Sequence, residues 1–320
     1  MRLLLGLALI LLLSTSAAYA PDSRSVVRFE QIALDRDNPD RTTFGGLRLL
    51  GAWRLTSNNP FFGGISSMRV RGNAVLALTD AAYVLEFPFD GKRTEAVLRV
   101  RQLPGIYTVP EPDRDSESMV EDPVTGKMWV GFEFSNTIRR YSANLGAKEG
   151  WVAPPAMKHW PENQGPEAFV RLPDGRFLLF SEASPGPEES REALIFPGDP
   201  IRHGKRTTRF FYKPPRGFSP TDAVLLPDGR ILLVNRHFSV FDGVAAIITI
   251  VDPRDIRKDR IVPSRIVATL KPPLRIDNME ALSVDQANGE TNLWIASDDN
   301  FNPLQQTLLM KFALNDPPKR

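Results

Sequence analysis

The stretch GPEAFVRLPDGRFLLFSE, residues 165–182, reads as two strands around a tight turn. PEAFVR is a short, mostly apolar segment. LPDGR is a turn in which Gly175 supplies a positive φ, and FLLFSE is a strand-length apolar run that ends on a polar pair. The same three parts recur along the chain. RVRGN, DPVTGK, LPDGR and DQANGE supply four more turns, at Gly72, Gly126, Gly229 and Gly289. The runs that follow are NAVLALTD, GKMWVGFE, GRILLVNR and TNLWIASDD. The segments that precede are ISSMRV, SESMVE, TDAVLL and MEALSV.

Aligned on their second positions, these five segments bring Ser66, Glu117, Glu167, Asp222 and Glu280 into one column, at spacings of 51, 50, 55 and 58 residues. A repeat near fifty residues, with two strong strands and weaker third and fourth ones, is the pattern of propeller blades. Third strands are expected at YVLEFP, NTIRRYS, ALIFPG, AAIITIVD and TLLMKFAL. The expectation is an all-β propeller of five blades, or six if residues 26–55 build their own. VVRFEQIAL and GLRLLGAWRL are expected to complete the last blade and close the ring, which leaves no long strand edge exposed. A β-sandwich accounts less well for the repeat, and 28 prolines oppose helices.

The first strand of a propeller blade lines the central channel, so the aligned column points at one axis, and four of its five residues are acids. The ends of the second strands add Asp80, Glu133, Glu182, Asn235-Arg236 and Asp298-Asp299-Asn300. So many like charges near one axis repel unless protons, arginines or a cation compensate them. Oxygen donors with no cysteine and only three histidines in the chain favour calcium or magnesium, and calcium suits scattered carboxylates best. The metal ligands expected are Glu117, Glu167, Asp222, Glu280, Asp298 and Asp299. Arg236 is placed to steady an anionic substrate. The plainer alternative is that each blade-head acid bonds to backbone amides of the next blade and staples the ring.

The N-terminus has the three parts of a secretory signal: Met1-Arg2, the apolar run LLLGLALILLL, and a small-residue site at Ala18-Tyr19-Ala20, with cleavage expected after Ala20. A retained anchor helix is the alternative. This divides the chain into a signal peptide, 1–20, and one domain, 21–320, and places the protein in the periplasm or outside the cell, off the membrane once cleaved. Without cysteine there is no disulfide and no lipidated cysteine. The 320 residues are 42% hydrophobic and 24% charged, with 40 basic against 38 acidic residues, an ordinary balance for a globular domain. It gives no footprint of a nucleic-acid binder, and the domain is expected to be a monomer with a small-molecule partner.

The runs FGGLRLLGAWRL, GGISSM, GPEAFVRLPDGRFLLFSE and DNMEALSVDQANGETNLWIASDDNFNPLQQTLLMKF resemble the phytase-like proteins described as "esterase-like activity of phytase". The most specific part is the C-terminal pattern of Asn278, Glu280, Asp298, Asp299, Asn300, Gln306, Thr307, Leu308 and Leu309, and the resemblance spans roughly residues 44–313. It implies a β-propeller, export, and calcium-dependent hydrolysis of phosphate or other esters.

Other chemistries are poorly represented. There is no G-x-S-x-G nucleophile elbow, no H-E-x-x-H and no phosphate-cradling G-x-x-x-x-G-K-[ST]. Ser66 reads as a small residue at a blade head rather than a nucleophile. Of His159, His203 and His237, only the last lies beside a strand end that faces the channel mouth. The basic loop at 202–209 reads as a solvated surface. Two functions follow. One is a metal-dependent hydrolase of phosphate monoesters or related esters, with Glu280, Asp298 and Arg236 as its catalytic residues; a lactonase or carboxylesterase is a close variant. The other is a non-catalytic propeller that binds a ligand or partner and uses metal only as structure.

Overall fold

The computed structural model describes residues 24–106, 114–239, 243–287 and 289–315. The signal segment expected at 1–20 lies outside the described residues. Strands β1 (Val26–Gln31), β2 (Thr43–Phe44) and β3 (Leu47–Ser57) open the chain. A first sheet follows: β4 (Ile65–Arg71), β5 (Ala74–Thr79), β6 (Tyr83–Pro88) and, past the short β7 (Glu95–Val97), β8 (Arg99–Gln102). The second is β9 (Ser116–Glu121), β10 (Met128–Phe132), β11 (Thr137–Tyr141) and β12 (Lys148–Val152). The third holds β13 (Pro166–Arg171), β14 (Phe177–Pro185), β15 (Arg191–Phe196) and β16 (Thr208–Lys213). The fourth holds β17 (Ser219–Leu225), β18 (Ile231–Ser239), β19 (Gly243–Val251) and β21 (Arg265–Leu270), while β20 (Ile261–Pro263) crosses back to lie parallel to β16. The chain ends in β22 (Asn278–Ala287), β23 (Glu290–Asp298) and β24 (Thr307–Leu314).

Four sheets are thus meanders of consecutive strands, which is the blade arrangement of a β-propeller. The remaining sheet is composite. β22, β23 and β24 continue into β3 from the other end of the chain, where Leu309 sits opposite Trp53 and Thr307 opposite Leu55, and β1 and β7 extend it outward. The expected third strands are β6, β11, β15, β19 and β24. The innermost strands follow one another cyclically: β4 lies beside β9, β9 beside β13, β13 beside β17, β17 beside β22, and β22 beside β4.

Alternation along these strands gives each sheet two apolar faces, and the apolar side chains fill the layers between sheets. Phe169, Phe177 and Leu179 meet Val120 and Trp129 between the second and third sheets. Phe180, Phe210 and Tyr212 meet Ala223, Ile231 and Leu233 between the third and fourth. Each such aromatic or leucine contributes about 1.5–3 kcal/mol by its burial. With no cysteine, these layers and the hydrogen bonds between sheets hold the fold together.

One irregularity repeats around the ring and decides where the functional side chains go. Each innermost strand carries one extra residue relative to its partner strand: Ser66, Glu117, Glu167, Thr221 and Glu280. A β-bulge of this kind bends the strand and re-aims the unpaired side chain. In the fourth sheet the bulged residue is Thr221, because Pro220 pairs with Asn235 and Asp222 with Val234. The alignment expected from sequence, with Asp222 in the column, is therefore corrected by one residue. The two small members of the column act as staples. Ser66 Oγ donates to the Ser116 carbonyl (2.6 Å) and Thr221 Oγ1 to the Met279 carbonyl (3.1 Å), each reaching the next sheet of the ring.

A candidate metal centre at the acidic mouth

The three acidic bulge residues, Glu117, Glu167 and Glu280, meet the carboxylates that end the second strands of their own and neighbouring sheets. Oxygens of Asp115, Glu117 and Glu133 lie within 4.8 Å of one another, and so do those of Glu133, Glu167 and Glu182. Glu133 belongs to both groups. It is oriented by the Gly165 N–H, which donates to its Oε1 at 3.0 Å. Beside these groups lies a mixed-charge cluster. Arg236 donates from Nη2 to Glu182 Oε1 (2.8 Å) and from Nη1 to Asn278 Oδ1 (2.6 Å), and Nη1 is 3.1 Å from Glu280 Oε1. Asn278 Nδ2 donates to Glu280 Oε1 at 2.8 Å and approaches Asp298 Oδ2 at 3.5 Å. Asp298 Oδ1 accepts the Asn300 N–H at 2.6 Å.

The electrostatics are those of an excess of buried negative charge. Burial pushes Glu117, Glu167 and Glu280 well above the usual carboxylate range, and neighbouring acids push further: Glu167 and Asp115 on Glu117, Glu133 and Glu182 on Glu167, Asp298 on Glu280. Burial likewise raises Glu133 and Asp80 to about 7, and Asp298 to about 6 against the lowering effect of the Asn300 N–H. Burial works against the charge on Arg236, but Glu280 and Glu182 outweigh it and hold the guanidinium above its ordinary value. Arg236 is outnumbered by these acids, and their raised values are how the cluster answers its crowded charge.

A carboxyl group with a raised folded-state pKa binds its proton more tightly folded than unfolded. Its stabilising contribution is complete below the unfolded value near 4 and is lost as pH rises through the folded value. Chelated protein should therefore lose thermal stability from about pH 4 to about pH 7, the window set by Glu133, Asp80 and Asp298. Melting temperatures in the presence of chelator at pH 5 and pH 8 check this, and an equal or higher value at pH 8 contradicts it.

A family model described as phytase-like, esterase-like activity of phytase, matches residues 60–301. The chain belongs to the phytase-like family. No curated protein matches this phytase-like chain. Among solved structures it is similar to the Malassezia sympodialis allergen Mala s 1 (12% identity, 93% of this chain and 99% of that one, TM-score 0.45). A structure titled for GH130 mannoside phosphorylases and glycoside hydrolases gives 12% identity, 86% and 97% coverage and a TM-score of 0.47. A chain of a nidogen/laminin complex gives 10% identity, 92% and 100% coverage and a TM-score of 0.44. Likenesses this distant decide nothing about the site.

Of the residues expected at the site, Glu117, Glu167, Glu280, Asp298 and Arg236 come together in one cluster of the phytase-like domain. Asp222 and Asp299 are spent on backbone. Asp222 is wholly buried; its Oδ1 accepts the Ala223 N–H (2.8 Å) and its Oδ2 the Leu282 N–H of the next sheet (2.7 Å). It is a staple. Asp222→Ala should cost about 1–3 kcal/mol by leaving Leu282 N–H without its acceptor, a loss in denaturant melts that added calcium does not repair. Asp299 Oδ1 accepts the Gly64 (2.9 Å) and Phe301 (3.1 Å) N–H groups, and its Oδ2 accepts from Thr307 Oγ1 (2.7 Å). This fastens the β23–β24 turn to the entry of β4. Glycine is required on the other side of that contact, because a Cβ on Gly63 would lie 2.6 Å from Asp299 Oδ1.

Asp115 escaped notice in the sequence, although Asp115-Ser116-Glu117 puts two acids at a spacing of two, the same-face spacing of a strand. His237 does not face the carboxylates; a ring nitrogen bonds the Gly217 carbonyl at 2.7 Å. His159 pairs with Glu192 at 3.2 Å, and Arg202, Lys205 and Arg206 of the basic loop are exposed.

Proposed function

We propose that this phytase-like chain is an exported hydrolase of phosphate monoesters or related esters, working with a divalent cation, calcium, at the acidic mouth. The observation that carries the reading is the pair of carboxylate groups that share Glu133. All the donors are hard oxygens, and they are partly or wholly buried, which fits a calcium or magnesium ion and not a thiophilic metal. Asp115, Glu117, Glu133, Glu167 and Glu182 would hold the cation. A cation there supplies Lewis acidity toward the ester oxygen and makes water a better nucleophile at neutral pH.

The chain's own groups do the rest. Arg236 offers a planar fork of donors to an anionic oxygen, and Glu182, Glu280 and Asn278 fix its orientation. Asp80 and Asp298, raised to about 7 and about 6, exchange protons near neutral pH, the range a general acid or base needs. That Arg236 is already held by two carboxylates favours, as a second reading, a neutral ester or lactone as substrate, since little uncompensated positive charge is left for a dianion. The same reading takes the composite sheet as a fifth blade, with β3 closing the ring, and the secreted domain as a monomer.

The test is an activity screen on the purified mature domain with p-nitrophenyl phosphate, p-nitrophenyl butyrate and a γ-lactone, after chelation and with calcium restored. Calcium-dependent turnover of at least one substrate is expected. No turnover of any of them with calcium present, beside a calcium-dependent rise in melting temperature, leaves the cation a structural part of a binding protein.

A further inference from the structure

At the opposite ends of the innermost strands, where the β4–β5 and β9–β10 turns lie, the charge reverses. A cavity of ≈570 Å³ opens between the first and second sheets, far along β4 from the bulge at Ser66. Its floor is apolar: Leu76 of the first sheet packs with the buried Met128 of the second, and the exposed Val97 forms one wall. Its polar lining is mostly arginine. The two acids that reach it are already matched, Glu121 by Arg71 at 2.5 Å and Glu86 by Arg101 at 3.4 Å. Arg69 spends its guanidinium on the backbone carbonyls of Met68 and Met119. Arg24 and Arg99, both exposed, have no ion pair among the described residues and leave the cavity with net positive charge.

We propose that this cavity is a second binding site, for a small amphipathic anion: an acid head held by Arg24 and Arg99, and an aliphatic body laid over Leu76, Val97 and Met128. Three observations converge on that class. The volume is that of an ordinary small-molecule site, which is mostly apolar with a few convergent polar groups. The uncompensated charge is guanidinium, the group that grips a carboxylate or phosphate in a fork. Val97 is a large apolar side chain left 42% exposed beside those arginines, and an aliphatic ligand covers it.

Calorimetric titration of the full mature domain tests the site with decanoate, decanesulfonate and decyltrimethylammonium, each below its micelle concentration. Saturable binding of at least one of the two anions is expected, their ranking identifying the head group, with no binding of the cation. Arg24→Glu combined with Arg99→Glu, both at exposed positions, should weaken the anion at least tenfold, and Val97→Asp should do the same. Glu133→Gln, at the far mouth, should leave the affinity unchanged. The assignment is overturned if neither anion binds at 1 mM, if the cation binds as tightly as the anions, if the arginine reversals leave binding intact, or if Glu133→Gln removes it.

Discussion

Glu133→Gln is expected to separate catalysis from stability in opposite directions. Glu133 is the one carboxylate common to both acid groups, so its amide weakens two candidate donor sets with one change of charge and almost none of size. Calcium affinity should drop, and hydrolysis with it, by on the order of 10²–10³-fold, the scale at which a single preorganised polar group in an active site is felt. Chelated Glu133→Gln should nevertheless melt higher than chelated wild type. The buried charge that Asp115 and Glu182 oppose is gone, and the Gly165 N–H keeps an oxygen to donate to. Melting curves with and without chelator, beside kcat, check both halves. Glu280→Gln and Asp298→Asn should lower hydrolysis too, and the double variant should be little worse than either alone if the two act as one unit. A Glu133→Gln enzyme with full activity contradicts the assignment of this centre.

Arg236→Met should be the most damaging single change to the stability of the metal-free protein. It leaves Glu182 and Glu280, both largely buried, without the cation that their charges face. Removing one partner of a buried ion pair costs about 3–5 kcal/mol, because the survivor stays buried and charged. The sign of the pH dependence follows from Glu280, already pushed up by burial and by Asp298 and now without the lowering effect of Arg236. Without Arg236 the Glu280 carboxyl is pushed further up, so its ionised form costs more at pH 8 than at pH 5. Denaturant unfolding of wild type and variant at both values should show the larger difference at pH 8. Added calcium should recover part of the loss by binding the native state alone.

Most of the architecture was legible because the physics behind it is local. The LPDGR turn and its relatives mark hairpins, and the apolar runs between them have strand length, so β4–β5, β9–β10, β13–β14, β17–β18 and β22–β23 could be placed by eye. GLRLLGAWRL could be sent to the last sheet because it had strand character without a repeat of its own, and β3 does pair with β24. The site was less legible, and Asp222 shows why. Measured from the shared LPDGR turn, GPEAFVRLPDGR and SPTDAVLLPDGR put Thr221, not Asp222, opposite Glu167. Choosing the acid over the spacing shifted the column by one residue. In a strand that turns a side chain to another face, and a bulge adds to the difficulty because it leaves no mark on composition. Asp299 was misplaced for a related reason. Its acid charge is visible in the sequence, while the Gly64 and Phe301 N–H groups that consume it become neighbours only when β23 turns back beside β4. Glu133 and Glu182 were visible as polar strand ends, but that one of them is shared between two groups is a fact of distances between sheets.

The central claim is that the mouth holds a divalent cation through the carboxylates around Glu133, and the most direct measurement is a calorimetric calcium titration of chelator-stripped protein. Wild type and Asp222→Asn should bind calcium saturably with the same affinity, since Asp222 is a staple between sheets, and Glu133→Gln should bind far more weakly. No binding by wild type at millimolar calcium, or equal binding by wild type and Glu133→Gln, would contradict the account.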